Sequence, residues 1–394
     1  MVNIAILGFG TVGSGVAEVL AKNSAHIDQK VETPVRLKYI LDVRDFPDNP
    51  FGDKIIHDFA TIENDPEVDI VVETIGGAGV ALDFTRRALS AGKSVVSSNK
   101  ELVAEHGCEL LQLAARKGAS YLFEASVGGG IPILRPLSQC LAANELTEVC
   151  GILNGTTNYI LTRMIRAGLS FDAALREAQA NGYAEADPSS DIDGIDVRSK
   201  ITIAMNIAFG GVADTREVPT EGIRRLTGED VRQFAHMGRV CRFLARAERM
   251  EDGAVCACVE PVLLPKGAIE AAVCKNDNIA SFEGEYVGVQ HFFGQGAGKF
   301  PTAYAVVEDL RDLLSHPGKS HLRAGEPALK LDGRRVTKRY YLRTAAPVEI
   351  EAEALGQAGA GTAYITAPLS AADMHALAAR LRGIDGTTFF AALR

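Results

Sequence analysis

The six residues Gly8-Phe9-Gly10-Thr11-Val12-Gly13 constrain this chain more than any other stretch. They follow directly on an apolar run at residues 2–7 and open an amphipathic stretch near residues 12–22. Glycine at the first position permits a tight turn. At the third it lets the backbone approach a pyrophosphate, and at the sixth it allows a helix to pack closely on a strand. The helix that starts there offers unpaired N–H groups and a partial positive charge to phosphate oxygens. The turn therefore predicts a dinucleotide site, with Gly8, Phe9, Gly10, Thr11, Val12 and Gly13 around the phosphates.

The rest of the first 125 residues repeats this β/α period. Residues 35–41, 69–72, 94–97 and 120–123 read as further strands, and residues 80–91 and 101–117 as helices. Unbroken Val/Ile runs are what strands buried on both faces look like. The order predicts a Rossmann-type doubly wound parallel sheet with right-handed crossovers.

From residue 131 the pattern changes. Helices are expected at residues 131–142, 157–167 and 171–181, with a strand at 146–152 between the first two. A long helix is expected over residues 193–209, followed by charged helical sequence to about Met250. Then come β-rich stretches at 254–264 and 281–293, and a helix at 304–314. The expected domains are thus a nucleotide-binding fold over 1–130, completed by about 294–315, and an α+β catalytic and dimerisation domain over 131–315. Residues 316–336, with Pro317-Gly318 and Asp332-Gly333, read as a linker. The tail, 337–394, reads as a small α+β module with strands at 339–343, 362–367 and 388–392 around a helix at 371–382.

Composition removes several classes of partner. The net charge of −9, with no basic stripe, argues against a nucleic-acid backbone. No apolar run approaches the roughly 20 residues of a membrane span. The N-terminus carries neither a basic leader nor a cleavage pattern, so a cytoplasmic location is expected. The seven cysteines form no CxxC pair and are expected to be reduced thiols. No His/Cys spacing suits a transition metal.

Ligands of an open α/β sheet bind beyond the carboxyl ends of its strands. The second strand runs into Asp42-Val43-Arg44. An acidic residue there suits the ribose 2′-hydroxyl of NAD, an arginine the 2′-phosphate of NADP. Both are present, and Arg44 tilts the reading toward NADP. The two later loops Glu73-Thr74-Ile75 and Ser97-Ser98-Asn99-Lys100 face the same crevice. Thr74 and Ser98 are expected at the cofactor, and Lys100 near the nicotinamide. The densest charge cluster lies elsewhere, in Gly182-Tyr183-Ala184-Glu185-Ala186-Asp187-Pro188, Asp191, Gly194, Asp196 and Lys200. A helix resuming near Gly194 makes Asp196 and Lys200 an i,i+4 pair.

That cluster, read from Ala178 to Lys200, resembles the signature of the homoserine dehydrogenases at every position. The glycine turn, Glu124–Pro132 (EASVGGGIP), Gly151–Ile160 (GILNGTTNYI) and Gly294-Gln295-Gly296-Ala297-Gly298 with Pro301-Thr302-Ala303 are similar to further segments of that family, in the same order. The resemblance implies NAD(P)H-dependent, reversible reduction of L-aspartate 4-semialdehyde to L-homoserine, in threonine, methionine and isoleucine biosynthesis. It implies proton transfer by Lys200, with catalytic roles for Lys100 and Asp196. Glu185, Asp191, Tyr183, Gly155 and Thr156 would bind substrate, and Gly298 would return to the cofactor. The carbonyls of Glu124, Val127, Gly129 and Ile131 would hold a sodium ion, and the chain would form a homodimer or homotetramer. The tail resembles an ACT regulatory module in Tyr340-Tyr341-Leu342-Arg343, but lacks the family's Pro-Gly step and is short, so control by threonine is not implied. An aspartate-semialdehyde dehydrogenase would need a nucleophilic cysteine motif, which no cysteine here supplies. A cofactor-binding sensor would have lost a charged position, and none is lost.

Overall fold

The N-terminal apolar run forms β1 (Val2–Leu7) in a computed structural model that describes residues 1–394 except 32, 142, 317, 319 and 323. Its last four residues are buried. After β1 come α1 (Thr11–Val31), β2 (Val35–Leu41), β3 (Ile55–Ile56), α2 (Phe59–Glu63), β4 (Val68–Glu73), α3 (Gly79–Ser90), β5 (Ser94–Ser97), α4 (Lys100–Lys117), β6 (Tyr121–Leu122) and α5 (Leu134–Cys140). All six strands pair in parallel, in the order β3-β2-β1-β4-β5-β6. That is the doubly wound order, with its switch between β1 and β4. The capping residues are readable locally: Asn99 accepts from Leu102 N ahead of α4, and Gly118 closes it in the left-handed conformation.

The chain divides into two units by its contacts: Met1–Ala143, Ile203–Val212 and Gln295–Ala328 in one, Asn144–Thr202, Ala213–Gly294 and Leu329–Arg394 in the other. The second holds β7 (Leu146–Ile152), α6 (Gly155–Ala167), α7 (Phe171–Ala180), α8 (Ser189–Ile192), the start of α9 (Ile195–Phe209), α10 (Gly228–His236), β8 (Arg239–Arg249), β9 (Val255–Pro265), α11 (Ile269–Ala272), β10 (Asp277–Gly284) and most of β11 (Gly288–Gln295). Next, α12 (Lys299–Ser315) belongs to the first unit and packs on α1, where a Cβ on Gly15 would lie 2.8 Å from the Lys299 carbonyl oxygen. Ile4, Val16, Val72, Val306 and Leu310 share that unit's core.

The tail adds β12 (Thr337–Lys338), β13 (Tyr340–Thr344), β14 (Ala352–Ala358), β15 (Gly361–Thr366), β16 (Leu369–Ser370), α13 (Ala371–Arg382) and β17 (Phe389–Leu393). Four of these strands extend the second unit's sheet, whose order is β11-β10-β7-β8-β9-β17-β13-β15-β14. The junction is a parallel pairing of β17 with β9. The tail is therefore continuous with the sheet of the second unit, where sequence suggested a separate module. Its order β17-β13-β15-β14 is that of a split βαβ pair with one helical crossover, α13; residues 345–351 cross between β13 and β14 without a helix.

Three sequence expectations change. The helical reading up to Met250 fails, because α10 stops at His236 and Arg239–Arg249 is strand β8. Its Arg, Ala and Leu residues favour helix in isolation, but β8 pairs with β9 along its whole length, and that pairing decides. Residues 281–293 are not one strand but parts of two, β10 and β11, joined by a turn. The helix expected at 131–142 starts only at Leu134, after the glycine run and Pro132, and Ala142 lies outside the described residues. Of the expected linker, Pro317 lies outside the described residues, while Ala328 bridges to Val212 and Leu331 to Val255.

Candidate functional site

In the first unit the glycine turn has the shape its spacing predicts. Gly8 stands at φ +89°, and its N–H donates to the Leu41 carbonyl at 2.8 Å. A Cβ on Gly13 would lie 1.9 Å from the Gly8 carbonyl oxygen and 2.8 Å from Thr74 Oγ1, so only glycine fits where α1 passes the turn. A Cβ on Gly10 would meet nothing within 4 Å, so the backbone there faces open space. Thr11 and Val12 begin α1, whose N-terminal N–H groups and dipole suit a pyrophosphate. These residues fit a dinucleotide. Phe9 has a different part: its ring is buried against Phe46 and Phe51, and only its N–H reaches the corner, donating to Asp42 Oδ2 at 2.7 Å.

Asp42 and Arg44 form one unit at the end of β2. The Arg44 guanidinium donates to both Asp42 oxygens, at 3.0 and 3.2 Å, and lies 5.0 Å over the Phe46 ring. Burial alone would raise the Asp42 carboxyl, but Arg44 and the two backbone N–H groups hold it down at about 2. His57, which sequence did not single out, closes the corner with Nδ1 2.8 Å from the Asp42 carbonyl.

Thr74 Oγ1 donates to the carbonyls of Leu7 and Gly8, at 2.9 and 3.0 Å, tying the end of β4 to the turn. Ser98 N donates to the Glu73 carbonyl at 3.2 Å, and Lys100 is the half-buried first residue of α4. Sequence missed Glu73 here. Its buried carboxylate accepts from Ser97 Oγ at 2.6 Å and Ile75 N at 2.8 Å, joining β4 to β5, and burial pushes its pKa up. Gly298 immediately precedes α12, and Thr302 N donates to its carbonyl.

The Glu124–Ile131 segment is a 3₁₀ turn followed by the glycine run. The Glu124 carbonyl accepts from Val127 N, Ile131 N donates to Gly128, and Gly130 N donates to Gln295. The Glu124 side chain does structural work. Its two oxygens accept from Leu134 N and Arg135 N, capping α5, while its own N–H donates to Asp309. Arg135 in turn binds Asp309 and Asp312.

In the second unit the carboxylate–lysine cluster is organised by Asn154. Its side chain caps α6 by accepting from Thr157 N at 2.8 Å. Its Nδ2 donates to Asp191 Oδ1 at 2.7 Å and to Asp196 Oδ2 at 2.8 Å. Asp196 and Lys200 are one turn apart on α9, and Lys200 Nζ lies 2.8 Å from Asp196 Oδ2 and 2.8 Å from the Leu153 carbonyl oxygen. Burial, then the charge of Asp196, raises the Asp191 pKa.

Gly155 and Thr156 start α6 beside this cluster. A Cβ on Gly155 would lie 2.8 Å from the Asn276 carbonyl oxygen. Thr156 Oγ1 donates to the Tyr183 carbonyl at 2.6 Å, which anchors the loop after α7. Sequence placed Asp191, Asp196, Lys200, Gly155 and Thr156 together, and they meet. Tyr183 joins through its backbone, with its ring on Tyr159. Glu185 is exposed on the loop, outside the hydrogen-bond network around Lys200. Asn154 was missed as a site residue, although an asparagine just before a helix is a readable cap. Lys100 belongs to the first unit and Lys200 to the second.

A family model described as the homoserine dehydrogenase NAD-binding domain matches residues 8–124, and one described as homoserine dehydrogenase matches residues 132–310. The homoserine dehydrogenase of Pseudomonas aeruginosa is 40% identical over 314 residues, covering 79% of this chain and 72% of its own. Among solved structures, a homoserine dehydrogenase from Thiobacillus denitrificans superposes with a TM-score of 0.88 at 34% identity, covering 100% of this chain and 98% of that one. A hyperthermophilic archaeal homoserine dehydrogenase in complex with NADPH gives a TM-score of 0.68 at 28% identity, covering 79% of this chain and 97% of that one.

Proposed function

Because the chain belongs to the homoserine dehydrogenase family and is an NAD(P)-dependent oxidoreductase, we propose that Lys200 transfers the proton when L-aspartate 4-semialdehyde and L-homoserine interconvert. The observation that carries this is the seating of Lys200 Nζ by Asp196 and the Leu153 carbonyl, both at 2.8 Å. An ammonium has three donors, so two position it and the third is left for the substrate oxygen. NAD(P)H, when bound, supplies the hydride. As charge grows on the aldehyde oxygen, Lys200 donates a proton to it; in the reverse direction the same nitrogen accepts one. Asp196 is the positioning partner, and Asn154 holds Asp196 and Asp191 in register.

The substrate's two charged ends need opposite partners. Asp191 and Glu185 suit the α-ammonium. The N-terminus of α6, with Gly155 and Thr156, suits the α-carboxylate, because helix N-termini favour anions. Lys100, at the start of α4, is assigned to the nicotinamide end. On this reading the protein works on the route to threonine, methionine and isoleucine, and the cytoplasm is the proposed location. All seven cysteines are free thiols, which accords with a reducing compartment. No helix among the described residues is long and apolar enough to cross a membrane.

NADPH is the favoured coenzyme, because Arg44 is held at the end of β2 with its guanidinium largely exposed. The test is NADPH and NADH oxidation with L-aspartate 4-semialdehyde. The expected outcome is turnover with both, a lower KM for NADPH, and a rise of about tenfold in that KM alone in Arg44→Ala, the loss of one charged contact. An unchanged NADPH KM in the variant removes Arg44 from the phosphate site. A cofactor-binding wild type with no turnover removes the reaction.

A homodimer or homotetramer is the proposed assembly. Val289 and Phe293 are exposed on the edge strand β11, where apolar side chains call for a partner. Sedimentation velocity that finds only monomer at assay concentration overturns this.

A further inference from the structure

The second unit buries an arginine without a carboxylate. Arg242, on β8, is 2% exposed, and among the described residues no acidic side chain lies within ion-pair distance of it. Its guanidinium donates to the carbonyls of Cys241 at 3.0 Å and Ala271 at 2.9 Å, and its Nε is buried with no hydrogen-bond partner. A buried cation lacking a counter-charge is costly. A group that can accept negative charge, the sulfur of Cys274, lies 3.5 Å from Arg242 Nη2. A second guanidinium, that of Arg166 on the last turn of α6, donates to the same sulfur at 2.9 Å.

Cys274 differs from the other six cysteines in being flanked by arginine and half-exposed at once. Burial pushes Cys241 and Cys258 up to about 12 and raises Cys150 and Cys256 as well, which keeps those thiols protonated. Cys108 and Cys140 are half-exposed, but no arginine donates to either among the described residues. Thiol reactivity needs both access and nearby positive charge, and Cys274 has both.

The loop that carries Cys274 also grips the start of α6. Asn158 Nδ2 donates to the carbonyls of Val273 at 3.3 Å and Asp277 at 3.0 Å. Lys275 N donates to Thr162 Oγ1 at 3.0 Å, and Asn276 abuts Gly155. Lys275 has φ +58° and is the one non-glycine residue in that region among those described, so the loop is held in a conformation a lysine seldom adopts.

We propose that Cys274 is a peroxide-sensitive modification site, gripped by Arg166 and Arg242, whose oxidation perturbs substrate binding through the first turn of α6. In the step the sulfur attacks one oxygen of hydrogen peroxide. The S–O bond forms, the O–O bond breaks, and the departing oxygen leaves as water with the thiol proton. Sulfur loses two electrons, the peroxide gains them, and the product is a sulfenic acid. The two guanidinium groups are placed to donate to the new oxygen, and when the sulfenic acid gives its proton to solvent the sulfenate supplies Arg242 with its missing counter-charge. The effect on binding rests on the assignment of Gly155 and Thr156 to the substrate carboxylate; the modification does not.

The test treats the full-length enzyme with hydrogen peroxide, traps sulfenic acid with dimedone, and maps the label by peptide mass spectrometry. Label is expected on Cys274 about tenfold faster than on Cys108 or Cys140, and Arg166→Gln should slow the Cys274 reaction by about the same factor. Arg166 is exposed, so this variant folds where an Arg242 variant could fail to. Cys274→Ser should keep full activity and lose its sensitivity to peroxide. The oxidised wild type should show a raised KM for the amino-acid substrate at unchanged cofactor KM. Equal labelling of all three cysteines, or an Arg166→Gln rate equal to wild type, overturns the site. Selective labelling with an unchanged substrate KM overturns the link to α6 while leaving the site standing.

Discussion

Replacing Lys200 with alanine lowers kcat by about 10³, the middle of the range for a positioned acid–base group, while cofactor affinity is kept. The expected size follows from how the lysine is held. Asp196 and the Leu153 carbonyl each hold the nitrogen at 2.8 Å, and Asn154 holds Asp196 in turn, so water admitted in its place would lack both the charge and the position. Cofactor titration by fluorescence and a thermal melt separate chemistry from folding. The variant should still bind NADPH and should melt lower, because Asp191 and Asp196 lose their cation. Burial and the charge of Asp196 already raise the Asp191 carboxyl. A carboxyl raised in the folded state weighs against folding increasingly as pH climbs from its unfolded to its folded value. The stability deficit of Lys200→Ala should therefore shrink on acidification through the carboxylate range. A kcat within tenfold of wild type ends the assignment of proton transfer to Lys200.

What sequence made legible was whatever is decided locally. Strands β1, β2, β5 and β7 and helix α13 have the ends read from the chain, because short β-rich runs bounded by turn residues and a Ser370 cap depend on near neighbours. The glycine turn is legible for much the same reason: the tightest constraint on Gly13 is the Gly8 carbonyl oxygen, five residues back, and the distant contacts to Leu41 and Thr74 follow from the β/α period. Asp196 and Lys200 met because four residues on a helix make one turn. What failed was decided at a distance. β8 has a helix-forming composition and becomes a strand only because β7 and β9 lie on either side of it. Asn154 reads as a helix cap, but its second task, joining Asp191 and Asp196, spans 37 and 42 residues. Glu73 looks like the polar end of a strand, and only the fold puts Ser97 against it. The tail resembled a module of its own because nothing in residues 337–394 reveals that β17 will lie beside β9.

A second tie between the tail and the sheet's flank, from β13 to α10, supplies the largest stability effect expected here. Asp230 is fully buried in the second unit and accepts four hydrogen bonds. Thr227 N and Oγ1 donate to Oδ2 at 2.8 and 2.7 Å, and the first of these, with Asp230 N donating back to Thr227 Oγ1 at 3.3 Å, makes the capping box of α10. Tyr341 Oη and Arg343 Nε, both on β13, donate to Oδ1 at 2.8 and 2.7 Å. Burial, reinforced by Asp230, raises the Tyr341 hydroxyl, so it stays protonated and remains a donor. Asp230→Ala removes the cap and leaves Arg343 buried without its carboxylate. Breaking one side of a buried pair costs about 3–5 kcal/mol, and a unit of this size should lose about 10 °C in Tm. Asp230→Asn keeps the shape and can keep the bonds to Thr227 and Tyr341, so it should cost less. The decisive comparison is Asp230→Ala with Arg343→Met against Asp230→Ala alone. If the stranded charge is what destabilises, the double variant recovers part of the loss, because the second change removes the unpaired cation. If the double variant melts at the sum of the two single losses, the pair does not act as a unit, and the tail is held to the sheet by the packing of Tyr341 on Phe234 and by the strand pairing of β17 on β9 instead.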